Sequence, residues 1–338
     1  MKAVGYHKSL PITDKDSLVD FSADKPAPAG RDLRVAVKAV SVNPVDTKVR
    51  MRAQPAAGEP PKMLGYDAAG VVDAVGPEVS FFKPGDEVFY AGSIQRPGTN
   101  AEFHLVDERI VGKKPKRLSF AQAAALPLTS ITAWEMLFDR LAVTPGKRPD
   151  DRALLVIGGA GGVGSMLIQL ARRLTPLMVI ATASRPDTQA WCRKLGAHHV
   201  VDHSKPMPEQ LKAIGHERVA LIAGLTNTQD HLPAIVQIIA PQGKFALIDD
   251  PKVLDINPFK GKSVSVHWES MFTRSSFTTP DIVAQHRLLN DVASLVDQGV
   301  LLTTLAKELA PINAANLREA HGLVESHRSI GKIVLQGW

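Results

Sequence analysis

Cysteine is almost missing from this chain: Cys192 is the only one in 338 residues. A single thiol excludes an internal disulfide, a four-cysteine zinc lobe, a CxxC redox pair and a cysteine-held iron–sulfur cluster. It is compatible with a reducing, cytoplasmic setting. Long apolar runs are missing too. No window approaches the ~20 residues that span a bilayer, and the opening stretch MKAVGYHKSLPITDKDS lacks the apolar core of a secretory signal. Neither export nor a membrane partner is expected. Aromatics are scarce at 5%, and Trp134, Trp191, Trp268 and Trp338 are expected to pack rather than to cage a ligand. An excess of one charge is modest: 40 Lys+Arg against 34 Asp+Glu gives +6, which suits a small anionic ligand at least as well as a nucleic acid. The densest basic run, Lys113–Arg117, has no interleaved aromatics and matches no nucleic-acid module, so no nucleic-acid partner is expected.

What is present reads as an ordinary globular protein, with 44% hydrophobic and 22% charged residues. At roughly 150 residues per domain the length points to two domains. Residues 1–125 read as mostly β: Leu33–Val42, Ala68–Val75 and Glu87–Tyr90 are short runs divided by turn signals such as Gly76-Pro77 and Lys83-Pro-Gly-Asp86. Ala53–Pro61, rich in Ala, Pro and Gly, reads as a mobile loop. At Ser119-Phe-Ala-Gln122 a capping-box pattern opens a helix, and a second helical pattern runs from Thr129 to about Arg140. Strand–helix alternation follows. Strands are expected at Ala153–Ile157, Met178–Ala183, His199–Val201, Val219–Ala223, Lys244–Ile248 and Ser263–His267. Helices are expected at Gly162–Leu174 and Thr188–Leu195. This is the signature of an α/β, doubly wound parallel sheet. An amphipathic helix at Asp281–Gln298 and a strand at Ile333–Gln336 close the chain, and this tail is expected to return to the N-terminal β region. The domains are therefore 1–125, 126–268 and, returning to the first, 269–338.

The strongest motif is Ile157-Gly-Gly-Ala-Gly-Gly-Val-Gly164, with G-x-G-x-x-G at Gly159, Gly161 and Gly164 and with Ala160, Gly162 and Val163 between them. It follows an apolar strand and opens a helix, the context in which glycines allow a tight turn, a close pyrophosphate and close helix–strand packing. A dinucleotide is the expected ligand. At the end of the second strand an NAD site usually carries an acid; here Ser184-Arg185 stands in its place. Ser184 can donate to a 2′-phosphate and Arg185 can pair with it, which favours NADPH; otherwise Arg185 points into solvent.

Several ordered motifs then resemble the medium-chain dehydrogenase/reductase superfamily over nearly the whole chain. They are Ser41-Val-Asn-Pro-Val-Asp46, Leu64-Gly-Tyr-Asp-Ala-Ala-Gly70, Lys83-Pro-Gly-Asp-Glu-Val88, Ala124-Ala-Leu-Pro-Leu-Thr129, the glycine loop and Gly331-Lys-Ile-Val-Leu335. The nearest resemblance is to the zinc-independent quinone-oxidoreductase branch, often labelled zinc-type alcohol dehydrogenase-like. It implies a GroES-like β domain joined to a Rossmann domain, with NADPH and substrate held between them and a homodimer as the assembly. Where zinc relatives place ligands, this chain has Asn43, Tyr66-Asp67 and Leu128-Thr129, and no metal site is expected. The histidines show no HExxH-like spacing and read as surface or satisfied core residues.

By position, the resemblance implies cofactor contacts from Asn43, Thr129, the glycine loop, Ser184, Arg185, Thr226, Asn227, Ile248, Asp249, Gly331 and Lys332. Asn43 is the first candidate for a catalytic polar contact, or else part of a turn with Pro44. Tyr66 is either a proton or hydrogen-bond donor or a packing aromatic. Asp46 and Asp67 are candidates to hold loop backbone. Thr129 either contacts the nicotinamide or starts a helix; Lys332 either reaches a phosphate or is solvated. Many relatives add a lysine where this chain has Thr188, which leaves phosphate recognition to Ser184 and Arg185. The expected activity is NADPH-dependent, zinc-independent hydride transfer to a quinone or an α,β-unsaturated carbonyl. The alternatives are a non-enzymatic NADPH-binding protein and an alcohol dehydrogenase.

Overall fold

The computed structural model describes residues 1–56, 58–146 and 150–338; Ala57, which falls in the expected Ala53–Pro61 loop, and residues 147–149 lie outside the described residues. The chain divides into two compact units, Met1–Ile131 with Phe272–Trp338, and Thr132–Met271.

The first unit opens with β1 (Lys2–Tyr6), β2 (Val19–Ser22), β3 (Asp32–Val42), α1 (Pro44–Arg52), β4 (Lys62–Met63), β5 (Ala68–Val75), β6 (Glu87–Tyr90), β7 (Phe103–Asp107), β8 (Val111–Lys113), α2 (Phe120–Ala124) and α3 (Pro127–Trp134). Along the first part of β3 buried and half-buried residues alternate, as a sheet with one face on a core requires. Ser119 caps α2 with the expected reciprocal box: its hydroxyl accepts from the Gln122 amide and the Gln122 side chain accepts from Ser119 N. The helix expected from Thr129 to Arg140 is two pieces. After α3 the backbone widens into a π-helical turn over Glu135–Arg140, a distortion that apolar periodicity does not report.

The second unit alternates β9 (Ala153–Ile157), α4 (Gly162–Leu174), β10 (Met178–Thr182), α5 (Pro186–Leu195), β11 (His199–Val201), α6 (Met207–Ala213), β12 (Val219–Gly224), α7 (Thr228–Ile238), β13 (Ile239–Leu247) and β14 (Ser265–Trp268). All neighbouring strands run parallel, in the order β11-β10-β9-β12-β13-β14. In order of appearance that is 3-2-1-4-5-6, the Rossmann arrangement, with a reversal of direction between β9 and β12 where dinucleotides bind. The last strand starts two residues later than expected, because Asn257–Lys262 coils as a 3-10 helix that ends on Ser263 in a left-handed conformation (φ 52°).

The chain then returns to the first unit through α8 (Thr273–Phe277), α9 (Ala284–Asp297), β15 (Leu305–Leu309), α10 (Ala314–Glu325) and β16 (Lys332–Gln336). β16 pairs antiparallel with β3 and parallel with β15, completing the sheet β15-β16-β3-β5-β6-β8, with β7 also on β3. Each unit has its own apolar core, one around Val35, Val40, Leu64 and Leu335, the other around Leu155, Ile222, Phe245 and Leu247. No helix among the described residues is long and apolar enough to cross a membrane.

Candidate active site and nucleotide-binding edge

β9 is buried along its whole length and delivers the chain to Gly158. The positive φ that the turn needs falls there, at +87°, one residue before the G-x-G-x-x-G pattern begins. Gly158 N donates to Thr182 Oγ1 (3.1 Å) and Gly159 N to Thr182 O (3.1 Å), so the loop is pinned to the end of the second strand. Gly164 supplies the close approach of helix to strand: a Cβ there would lie 2.5 Å from Gly158 O and 2.6 Å from Gly159 O. Ala160 is buried, whereas Gly161, Gly162 and Val163 remain half-exposed at the N-terminus of the 13-residue α4, where free amides favour an anion. Gly164→Ala should therefore destabilise the second unit by about 1–3 kcal/mol, as overpacking does, and lose dinucleotide binding; chemical unfolding and nucleotide titration would check both.

At the end of β10, Ser184 and Arg185 are both half-buried. Arg185 is the N-cap of α5, followed by Pro186 at the first helical position. Thr188 fixes it: its hydroxyl accepts from Arg185 N (3.2 Å) and donates to Arg185 O (2.8 Å). The residue that replaces the relatives' lysine thus holds the arginine's backbone. The guanidinium lies 3.3 Å from Asp187. Thr226 packs near Gly158, and Asn227 turns into α7 with a left-handed backbone. Asp249 accepts from Thr228 N (2.7 Å) and from its hydroxyl, capping α7, while Ile248 N donates to Gly224 O (3.2 Å). All of these stand at the carboxyl ends of the parallel strands.

The first unit assembles a second group of expected residues. Lys332, 3% exposed, places its ammonium 2.9 Å from Val42 O and 3.1 Å from Asp67 Oδ2, and also donates to Asn43 Oδ1. Asn43 Nδ2 donates to Asp67 Oδ2 (2.7 Å), as does the Ser41 hydroxyl (2.9 Å), and Asp67 Oδ1 accepts from Leu128 N (2.8 Å). Asp46 accepts from Asn43 N (2.7 Å) and Gly65 N (2.9 Å). The two aspartates therefore do hold loop backbone. Lys332 is not solvated; its charge is turned inward, with Gly331 leading into it in a left-handed conformation (φ 53°). Burial pushes the Asp46 carboxyl up to about 7 and raises Asp67, with Lys332 opposing both shifts; burial lowers Lys332.

Tyr66 lies against the same group. It is 1% exposed and makes an edge contact with Phe272 (5.4 Å). Burial holds its hydroxyl above the usual range, with Asp46 and Tyr6 adding to the shift, so it stays protonated. The Thr129 hydroxyl donates to Leu126 O (3.1 Å) inside the helix. Cys192 is buried with its thiol pushed up to about 12, as an inert core residue would be. His104 is a satisfied core histidine, between Tyr90 Oη (3.2 Å) and Pro97 O (2.9 Å), and burial lowers it to about 4.

Comparison with known proteins agrees with this architecture. A family model described as "Alcohol dehydrogenase GroES-like domain" matches residues 29–116, and one described as "Zinc-binding dehydrogenase" matches residues 195–335. A Staphylococcus epidermidis protein named "Zinc-type alcohol dehydrogenase-like protein" is 39% identical over 339 residues, covering 99% of each chain. The chain belongs to the medium-chain dehydrogenase/reductase superfamily. The crystal structure of a putative zinc-dependent alcohol dehydrogenase from Rhizobium etli is 61% identical, with a TM-score of 0.95, covering 100% of this chain and 98% of that one. A tomato (Solanum lycopersicum) 2-methylene-furan-3-one reductase is 40% identical over 184 residues, 52% of this chain and 46% of the relative.

Like its family, this medium-chain dehydrogenase/reductase is a nicotinamide-dependent oxidoreductase with a GroES-like β domain and a Rossmann sheet. The zinc in the relatives' names finds a poor donor set here. Among the described residues no group of three or more His, Cys, Asp or Glu is placed to hold a metal. Asp46 and Asp67 are engaged by backbone amides, and the ammonium of Lys332 already lies against Asp67. Sequence reasoning did not foresee this buried cation. The signal was available in the apolar strand pattern of Lys332–Leu335, which puts the lysine inside a strand rather than in a loop.

Proposed function

We propose that this protein is an NADPH-dependent reductase of quinones or α,β-unsaturated carbonyls that works without a catalytic zinc. The observation that carries the reading is the cluster of Asn43, Asp67 and Lys332, where an ammonium is enclosed by an amide, a carboxylate and a backbone carbonyl. Such oxygen and amide donors around a resident cation are the wrong chemistry for a catalytic zinc, which takes thiolate and imidazole. An oxidoreductase without a Lewis acid is suited to acceptors that are already polarised. The name of the tomato relative specifies such an enone. When bound, a reduced nicotinamide supplies the hydride.

The chain's own residues supply the rest. The amides of Gly161, Gly162 and Val163 face the pyrophosphate, and Ser184 with Arg185 takes the 2′-phosphate in place of the acid of an NAD site. Tyr66, held protonated by burial, donates a hydrogen bond to the oxygen that gains charge on the acceptor. Asn43 acts through Lys332 and Asp67 as a positioning residue. We also infer a homodimer through β14, an edge strand of the Rossmann sheet that carries Trp268 at 56% exposure.

The test is a cofactor-resolved screen of purified protein against quinones, enones and alcohols after chelation, with metal content and sedimentation measured on the same sample. NADPH oxidation by at least one quinone or enone, with substoichiometric zinc and a dimer mass, is the expected result. Stoichiometric zinc with alcohol turnover, or no turnover on any acceptor, would overturn the reading.

A further inference from the structure

The second unit contains a buried charge cluster that takes no part in the proposed chemistry. Its members come from the π-helical turn Glu135–Arg140 and from the chain around β14, all within Thr132–Met271. In an α-helix, side chains five residues apart point about 140° away from each other. The wide turn changes that: Leu141 N donates to Met136 O (2.9 Å), five residues back, in the pattern of a π-helix. Glu135 and Arg140 are thereby brought towards one side, and both meet Glu269. His267 and Glu269 lie two residues apart, on one face of the edge strand and its extension. Glu269 N continues the pairing with β13 by donating to Leu247 O (2.9 Å).

The cluster holds more acid than base. Glu135 and Glu269 are both buried. Glu269 Oε2 accepts from Arg140 Nε (2.8 Å), while Oε1 is buried with no donor among the described residues. The Glu135 carboxyl stands within hydrogen-bonding reach of Glu269. Two carboxylates are both acceptors, so a bond between them requires a proton. Arg140 is a single cation with a partly exposed side chain. His267 adds no charge: burial, Lys244 and Arg140 lower its pKa, so the imidazole is neutral at pH 7. Asp139, on the same turn, is exposed. We propose that Glu135 and Glu269 share one proton, and that this proton is a pH-sensitive latch tying the π-helical turn to the edge strand β14.

The electrostatics give the latch its direction. Burial, and then the Glu135 carboxylate, push Glu269 up to about 8 against the pull of Arg140. The two acids titrate as a pair. In the unfolded chain a glutamate ionises near about 4.3. Between those values the folded protein holds one proton more than the unfolded chain. Its stability therefore falls as pH rises from about 5 to about 8 and is level above, where both states have lost the proton. The latch is closed in acid and neutral solution. It opens in alkali, where two adjacent carboxylates face one guanidinium.

The experiment unfolds the whole protein in urea at about pH 6 and about pH 8, following tryptophan fluorescence. Three of the four tryptophans, Trp134, Trp191 and Trp268, lie in this unit. One extra bound proton should raise the wild-type unfolding constant roughly 10- to 100-fold across that interval. Glu135→Gln and Glu269→Gln each replace the shared proton by an amide donor of similar shape. Each should cut the change to less than about threefold and match or exceed wild-type stability at the higher pH. Should a variant fail to fold, infrared spectra of the wild type carrying isotopically labelled glutamate supply the second measurement. The label separates glutamyl carboxyls from the buried Asp46 and Asp67. A protonated glutamyl band should be present at about pH 6.5 and gone by about pH 9.5. Equal pH dependence in the wild type and both variants, a loss of stability in the variants that is the same at both pH values, or no protonated glutamyl band at the lower pH overturns the inference.

Discussion

Lys332→Met should cost the first unit about 3–5 kcal/mol, the range seen when one partner of a buried ion pair is removed, and should lower its melting temperature by roughly 10 °C. Methionine fills similar volume, so little of the loss is packing. The ammonium is what matters. It bonds Val42 O and Asn43 Oδ1 and lies 3.1 Å from Asp67, which is fully buried. Without it the Asn43 amide oxygen and one face of Asp67 lose their donor, and both lie out of reach of water. Asp67→Asn in the same chain should recover part of the stability, because it removes the carboxylate that the lost cation had balanced; the two single variants and the double form a cycle that isolates the pair. Thermal and urea unfolding measure all four proteins. A Lys332→Met protein as stable as wild type would mean that the cluster is decoration and would remove the main support for a metal-free site.

This cluster also marks where the sequence was readable and where it was not. The Rossmann half was legible almost strand by strand, because β9 and β10 are continuous apolar runs bounded by glycine or polar turns, and the glycine loop sits at the one junction where its geometry is useful. The GroES-like half was legible only in its longest strands. β1, β2, β4, β7 and β15 are short or half-exposed, so their alternation does not rise above that of a loop. Site residues followed the same division. Gly158, Gly164, Ser184 and Arg185 are placed by local backbone geometry, which neighbouring residues encode. Asn43, Asp67 and Lys332 act through each other across up to 289 residues of chain, and no local pattern reports that a lysine at one end of a sequence neutralises an aspartate near the other.

Arg185→Glu should weaken NADPH roughly 100-fold or more and leave NADH within about threefold, the difference expected when a charge-assisted contact to phosphate is replaced by a repulsion. The position is favourable for such a clean separation. Arg185 is the cap of α5, and its backbone is held by Thr188 rather than by its own side chain, so the exchange leaves the helix start in place. The new carboxylate would stand near Asp187, now 3.3 Å from the guanidinium, and the two acids together would resemble the acidic end of a second strand that receives a ribose hydroxyl. Some gain in NADH affinity is therefore admissible, and a loss is not. Arg185→Lys should keep the charge but lose the paired geometry, weakening NADPH by about tenfold. Fluorescence titration of both dinucleotides against the three proteins reads the result directly. If the glutamate variant weakened NADPH and NADH equally, the arginine would be supporting the fold of this edge and not reading the phosphate, and the choice of cofactor would have to lie elsewhere on the sheet.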